Sequence, residues 1–224
     1  MNPPKVKMYD DIHKGLRHLI AKFLFQAGAT DWLDAESVER LRVQWELVKL
    51  PLHTHHKHED EFIHPLLARI SPGGHRSYQE EHEQQQVVLE ELDAHFQRLV
   101  NGEVQEANRL ESGLEFYRSF YLFYAEYLFH LHSEETDAQY AMERLCQTEE
   151  MGQVLGSLIA SIPMDELLES IDFMFPAMNI HECAMMLGSM KAGAPPEVFK
   201  TLSDRAHKAL DEEDWSKISK MLDI

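Results

Sequence analysis

Apolar residues recur along this chain at intervals of three and four almost everywhere, and the alternation that marks a half-buried strand is nearly absent. The pattern predicts an all-α protein. A first helix runs over 9–26 and closes at Ala27-Gly28, and a second covers 35–70 and stops at Ser71-Pro72-Gly73-Gly74. A third runs over 75–100 and ends at Asn101-Gly102, a pair suited to helix termination. The fourth starts after Ser112, where Ser112-x-x-Glu115 fits a capping box, and runs to about 149.

The stripes carry the first chemistry. On helix two the seam is Trp45, Val48, Leu52, His55, Glu59, Phe62 and Leu66; on helix three it is Tyr78, His82, Gln85, Leu89, Leu92, Phe96 and Leu99. Helix four contributes Phe120, Phe123, Tyr127, His130, Glu134, Ala141 and Leu145, with Asp137 and Ala138 sharing the turn between, and helix one Tyr9, His13, Leu16, Ile20 and Phe23. Histidine and glutamate thus stand where a bundle wants leucine. An i, i+4 pair on a helix lies one turn apart on one face, so His55-x-x-x-Glu59 and His130-x-x-x-Glu134 can each present two ligands to one ion. Imidazole with carboxylate suits iron, manganese or zinc, and two carboxylates can bridge two metals.

Depth agrees with phase. In an up-down-up-down bundle, ligands at one level are equidistant from the turn between their helices. The midpoints between His13, the His55/Glu59 pair, His82 and the His130/Glu134 pair fall at about residues 35, 70 and 107, each in an interhelical connection. A lone His-x-x-x-Glu pair is weak, because surface helices use that spacing for electrostatic contacts. Two pairs with two further histidines in phase are a strong signal, since burying these groups without a cation would be costly.

Nearby residues divide between chemistry and packing. In His53-Thr54-His55-His56-Lys57-His58-Glu59, His55 is on the seam and His56 beside it, fitting either as a further imidazole ligand or as a group behind the ligands. His53, His58, His64 and His132 point elsewhere, and Glu61-x-x-His64 is out of phase for a ligand pair. Tyr9, Tyr78 and Tyr127 each lie one turn from a ligand position and read first as core aromatics, second as hydrogen-bond donors to the centre. Pro51 breaks one helical hydrogen bond and kinks helix two.

The 224-residue chain carries a formal net charge of −18, a field that repels phosphate backbones and anionic lipid, so neither nucleic acid nor membrane surface is an expected partner. Glu126 and His130 interrupt the most apolar run, 120–131, so no membrane span is expected, and no signal peptide is visible. Two cysteines make no disulfide framework, and a cytoplasmic location is the expectation. Twelve of the fourteen histidines precede residue 133, whereas nine of the eleven methionines lie from Met142 onward. The expected division is therefore a metal-binding bundle over 1–150 and a small extension over 151–224 of short helices at about 151–162, 164–175, 180–191, 197–210 and 212–222. Asn179-x-x-Glu182 reads as a capping box, which makes His181-Glu182-Cys183 structural.

The set His13, His55-x-x-x-Glu59, His82 and His130-x-x-x-Glu134, with "HKHEDEFIHPLL", "EEHEQQ" and "HLHSEE", resembles the hemerythrin-like (HHE cation-binding) family over about residues 9–149. The resemblance implies a four-helix bundle holding a non-haem di-iron centre, with Glu59 and Glu134 bridging and the histidines as terminal ligands. It implies binding or reduction of oxygen, peroxide or nitric oxide, or the sensing of oxygen or iron. Two departures stand out. Oxygen carriers have a second histidine on the third helix, where the turns around His82 hold Tyr78 and Gln86, and their last carboxylate is an aspartate one residue further on than Glu134. Unless His56 substitutes, fewer imidazoles leave more open positions, which favours reaction over carriage. The expected function is thus a di-iron protein acting on oxygen-derived small molecules, with three rivals or additions: a sensor or adaptor signalling through its C-terminal helices, a structural zinc or manganese bundle, and self-association through those helices.

Overall fold

A computed structural model of the chain describes residues 6–224, which are helical almost throughout and contain no strand. By contacts the chain divides into two compact units: residues 6–9 with Leu19–Ala160, and Asp10–His18 with Ser161–Ile224. Helix α1 (Asp10–Ala29) is thus shared between them. Helix α7 (Thr148–Ser161) is counted almost wholly with the first unit, where the sequence reading had placed it in the extension.

The first unit contains α2 (Ala35–His58), α3 (His64–Ile70), α4 (Arg76–Val100), α5 (Arg109–Ser133) and α6 (Gln139–Leu145). Helix α4 packs against α5 and α2, and α3 against α6. The buried stripes are the predicted ones, Trp45, Val48 and Leu52 on α2, Leu89, Leu92, Phe96 and Leu99 on α4, and Phe120 and Phe123 on α5, where Phe116 extends the stripe by one turn. Phe23, Trp45, Phe96, Phe116 and Phe120 stack edge-to-face and tilted at centroid separations of 4.8–6.3 Å, an aromatic core of the kind that dominates packing energy. Gly113 permits it, since a Cβ there would lie 2.4 Å from the Trp32 ring. At the other end Met8, Ile63, Leu67, Tyr78, Met142 and Met151 form a second cluster, with Leu155 and Leu158 of α7 against it. This covering of α7's apolar face is why the unit extends to Ala160. Buried Gln139 ties down the N-terminal segment, accepting from Met8 N–H and donating to Val6 C=O.

Two local differences from the sequence reading matter. Helix α5 begins at Arg109, not after Ser112, and the Ser112 hydroxyl meets His95 Nε2 at 2.9 Å instead of capping. More important, helices two and four are each interrupted by one π-helical turn, Glu59–Ile63 and Glu134–Ala138. In each, the glutamate carbonyl accepts from the N–H five residues on, His64 and Gln139. The extra residue rotates everything downstream by about 100°. Ile63 is therefore buried and Phe62 is not; of Asp137 and Ala138, expected to share a turn, only Ala138 is buried, and Met142 takes the seam in place of the expected Ala141 and Leu145.

The second unit is built from α8 (Met164–Met174), α9 (Ile180–Gly193), α10 (Pro196–Ala209) and α11 (Glu212–Leu222), with residues 10–18 of α1. Helix α8 packs on α10 and α9 on α11, around Ile171, Phe175, Cys183, Leu187, Leu202, Ala206 and Ile218. Gly15 allows close approach: a Cβ there would meet Phe173 and Met174 at 2.8 Å. The Asn179 capping box forms as predicted. The sequence reading missed a repeat of 32 residues. Leu155-Gly156-Ser157-Leu158 recurs as Leu187-Gly188-Ser189-Met190, the caps Pro163 and Asn179 recur as Pro195 and Asp211, and α7 and α9 have matching bounds under that shift.

Candidate metal centre

Each half of the centre comes from the same local design. Under a shift of 75 residues, Trp45, Val48, Leu52, His55, Glu59, Ile63 and Leu67 map onto Phe120, Phe123, Tyr127, His130, Glu134, Ala138 and Met142, and all fourteen are buried. The π-turn starts at the glutamate in both copies, as π-turns often do at functional positions. Helix α4 adds His82.

Within the first unit the imidazoles and carboxylates converge. His82 Nε2 lies 3.0 Å from His130 Nε2, 3.4 Å from Glu59 Oε2 and 3.7 Å from Glu134 Oε1. His130 Nε2 is 3.3 Å from Glu134 Oε2, and His55 Nε2 is 3.4 Å from Glu59 Oε1. Glu59 and Glu134 are at most 1 % exposed. Donors about 2.0–2.2 Å from a common ion lie roughly 2.8–3.6 Å from one another at right-angled to tetrahedral angles, so all of these separations but the 3.7 Å one suit ligation of a common ion.

The outward nitrogens fix the tautomers. His82 Nδ1 faces Asp60 Oδ1 at 3.1 Å, and His130 Nδ1 faces Glu81 Oε2 at 2.8 Å. An ionised carboxylate only accepts, so each Nδ1 carries the donated proton and each neutral ring turns an Nε2 lone pair inward. Two lone pairs 3.0 Å apart, beside two buried carboxylates, demand a positive charge between them. With protons alone, His82 supplies it: burial would depress its pKa, but Asp60, Glu134 and Glu59 outweigh burial and hold it up at about 11. His130 is shifted the other way, first by burial. Asp60, although part-buried, is held well below the usual carboxylate range by His64 and His82.

His56 is buried, stacks on His82 at 4.2 Å and 14°, and shares a potential ligand group with His82 and His130. Burial and the neighbouring imidazoles push its pKa well down, which leaves a neutral ring fit to ligate. His64 corrects the sequence reading, which had it pointing away. It is buried, its Nδ1 lies 2.7 Å from Asp60 Oδ1, and it stacks against His82. The π-turn at Glu59 rotates it inward, and no residue-level periodicity announces such a turn. His53 and His132 are exposed, as expected. His13 is fully buried on α1, in the segment that belongs to the second unit.

The tyrosines separate. The Tyr78 hydroxyl is engaged with Ser133, donating to its carbonyl at 3.4 Å and accepting from its hydroxyl at 3.3 Å. The Tyr127 hydroxyl is wholly buried with no protein partner among the described residues, and burial, then Glu59 and Glu134, raise its pKa well above normal. Burial and the same two carboxylates raise Tyr9.

No family model, curated protein or solved structure matches the chain. The described residues hold buried imidazole–carboxylate groups able to bind a metal ion, and no helix is long and apolar enough to cross a membrane.

Proposed function

We propose that the chain is a hemerythrin-like non-haem di-iron protein, its first unit an up-down-up-down four-helix bundle that binds or reduces oxygen, peroxide or nitric oxide. The observation that carries this reading is the pair of inward-facing imidazoles at 3.0 Å flanked by Glu59 and Glu134. His55, Glu59, His82, His130 and Glu134 hold the metals, with His13 added by sequence phase and His56 as the further imidazole that the third helix lacks. Bound iron would supply one-electron redox chemistry and open coordination positions.

The chain's own groups do the rest. Asp60 and Glu81 hold the His82 and His130 rings with Nε2 inward. The Tyr127 hydroxyl, with no acceptor among the described residues, is a donor available to a small polar guest. Anaerobic purification after iron-replete expression, with metal quantification and optical spectra on adding oxygen or peroxide, tests the reading. We expect about two irons per chain, as two-metal sites require, and ligand-to-metal charge-transfer absorption on oxidation. A colourless protein holding one zinc would sink it.

A further inference from the structure

Helix α5 carries a second seam on its outer side. Leu114, Tyr121, Leu122 and Phe129 are all exposed, at intervals of seven, one and seven residues, and Phe129 is 75 % open to solvent. On the same side of the helix Glu111, Arg118, Ala125 and His132 recur every seven residues. A single exposed leucine is ordinary on a surface, but here the apolar face runs across three helices. On one flank a Cβ at Gly28 would meet the Tyr117 ring at 3.0 Å, which sets α1 against α5, and Phe25, one turn earlier on α1, is 77 % exposed. On the other flank Val87 of α4 is exposed and lines one groove with Phe129. Apolar surface of this extent marks an interaction site.

We propose that this face pairs with the same face of a second copy of the chain, α5 against α5 and antiparallel, about a twofold axis between Tyr121 and Leu122. What selects a second copy is that the seam reads alike in both directions. In an isologous contact, residue i of one chain meets residue j of the other and j meets i. With the axis placed there, Leu114 is level with Phe129 of the second copy, Tyr121 with Leu122, Glu111 with His132, and Arg118 with Ala125. The charges are complementary as well. Arg118 is the only lysine or arginine from 110 to 132, and it meets the small Ala125 with Glu126 beside it. The twofold makes that ion pair twice, and no position of the seam is level with one of like charge. Tyr121 and Phe129 add the aromatic surface in which interfaces are enriched. The net charge of −18 opposes self-association, so the dimer is a reversible one. The pairing uses no group of the metal centre and stands independently of it.

Sedimentation equilibrium of the full chain reads the association. We expect a monomer–dimer equilibrium in the micromolar range. Tyr121→Glu/Leu122→Glu brings four carboxylates to the axis and should weaken it at least about 100-fold. Circular dichroism should not change, because both side chains are exposed. Arg118→Glu should weaken the dimer about tenfold, and Arg118→Glu/Glu126→Arg, which exchanges the two members of each pair, should recover most of that loss. Met185→Glu, at a residue 65 % exposed in the second unit, should leave association unchanged. A wild type that stays monomeric up to about 100 μM overturns the proposal and leaves the face to a different protein. A dimer that survives the α5 substitutions, or that Met185→Glu disperses, overturns it too, and a double exchange that recovers nothing removes the register on which it rests.

Discussion

The aromatic end and the imidazole end of the first unit are made by the same helices at the same seam positions, yet only one is complete as it stands. Helix α2 gives Trp45 to one and His55 to the other; α5 gives Phe116 and Phe120, then His130; α4 gives Phe96 and His82. Among the rings, the indole N–H of Trp45 donates to Asp93 at 2.7 Å, and apolar contact does the remaining work. At the other end, two carboxylates and two lone pairs crowd a space with too little positive charge. Helical periodicity is indifferent to which side chain occupies the seam. Stability is thus concentrated where the seam is apolar, and binding capacity where it is not.

The sharpest way to break this contrast is a pair of substitutions with opposite signatures. Glu134→Ala or Glu59→Ala should abolish stoichiometric metal and, in metal-loaded protein, lower the melting temperature toward that of the metal-free wild type, because binding free energy is then no longer available to the fold. Trp45→Ala should cost about 3–5 kcal/mol through the cavity it leaves, while the folded fraction keeps its full metal content. Metal analysis with chemical denaturation reads both. Full occupancy in either glutamate variant, or metal loss in folded Trp45→Ala, would erase the distinction.

Within the imidazole end, the contrast between ligands and the groups behind them gives a smaller effect. Asp60→Asn and Glu81→Gln keep size but weaken the acceptors that fix His82 and His130. Metal affinity should fall about 10–100-fold in each without loss of stoichiometry at saturation. Competition with a calibrated chelator measures it; equal affinity in both variants would reduce Asp60 and Glu81 to surface carboxylates.

How far this was legible in the sequence follows from what periodicity can encode. His55, Glu59, His130 and Glu134 lie on the buried seam that the spacing predicts because each precedes or begins the irregular turn, where α-helical counting still holds, and His82 does so on a helix without such a turn. Phe62, Ala141 and Leu145 were misplaced, and His64 dismissed, because one π-turn per helix shifts the register just after the glutamate. A weaker signal was present in another form: past each glutamate the 75-residue shift pairs apolar residues at Ile63 and Ala138 and at Leu67 and Met142, whereas Phe62 falls opposite Asp137. Asp60 and Glu81, by contrast, look like any solvated glutamate or aspartate until the fold sets them against ring nitrogens.

Tyr127 and Tyr78 compare the two ends of a narrower scale, one hydroxyl without a hydrogen-bond partner among the described residues and one engaged with Ser133. Tyr127→Phe should leave metal content unchanged and shift stability by less than about 1 kcal/mol, since no hydrogen bond within the protein is lost. Rates with oxygen or peroxide should change, whereas Tyr78→Phe leaves them alone. Identical kinetics in the two variants would return Tyr127 to plain packing.

The smallest effect belongs to the aromatic end and is visible only as a function of pH. Asp93 accepts from Trp45, from Lys49 at 2.8 Å and from Gln97 at 3.2 Å. Partial burial works to raise its pKa, but Lys49, Trp45 and Gln97 outweigh it and lower it. A carboxylate whose folded pKa lies below its unfolded value of about 3.9 adds stability that is fully present above that value and is lost as pH falls through the folded pKa. With the group about a third open to solvent, screening keeps the gain within about 1 kcal/mol. Asp93→Asn should therefore be slightly less stable than wild type at pH 7, and the gap should close as pH drops below about 3.9. Urea unfolding of both proteins across that range reads the gap directly, and a difference that stays constant with pH would mean that Asp93 acts only as a neutral acceptor for the indole.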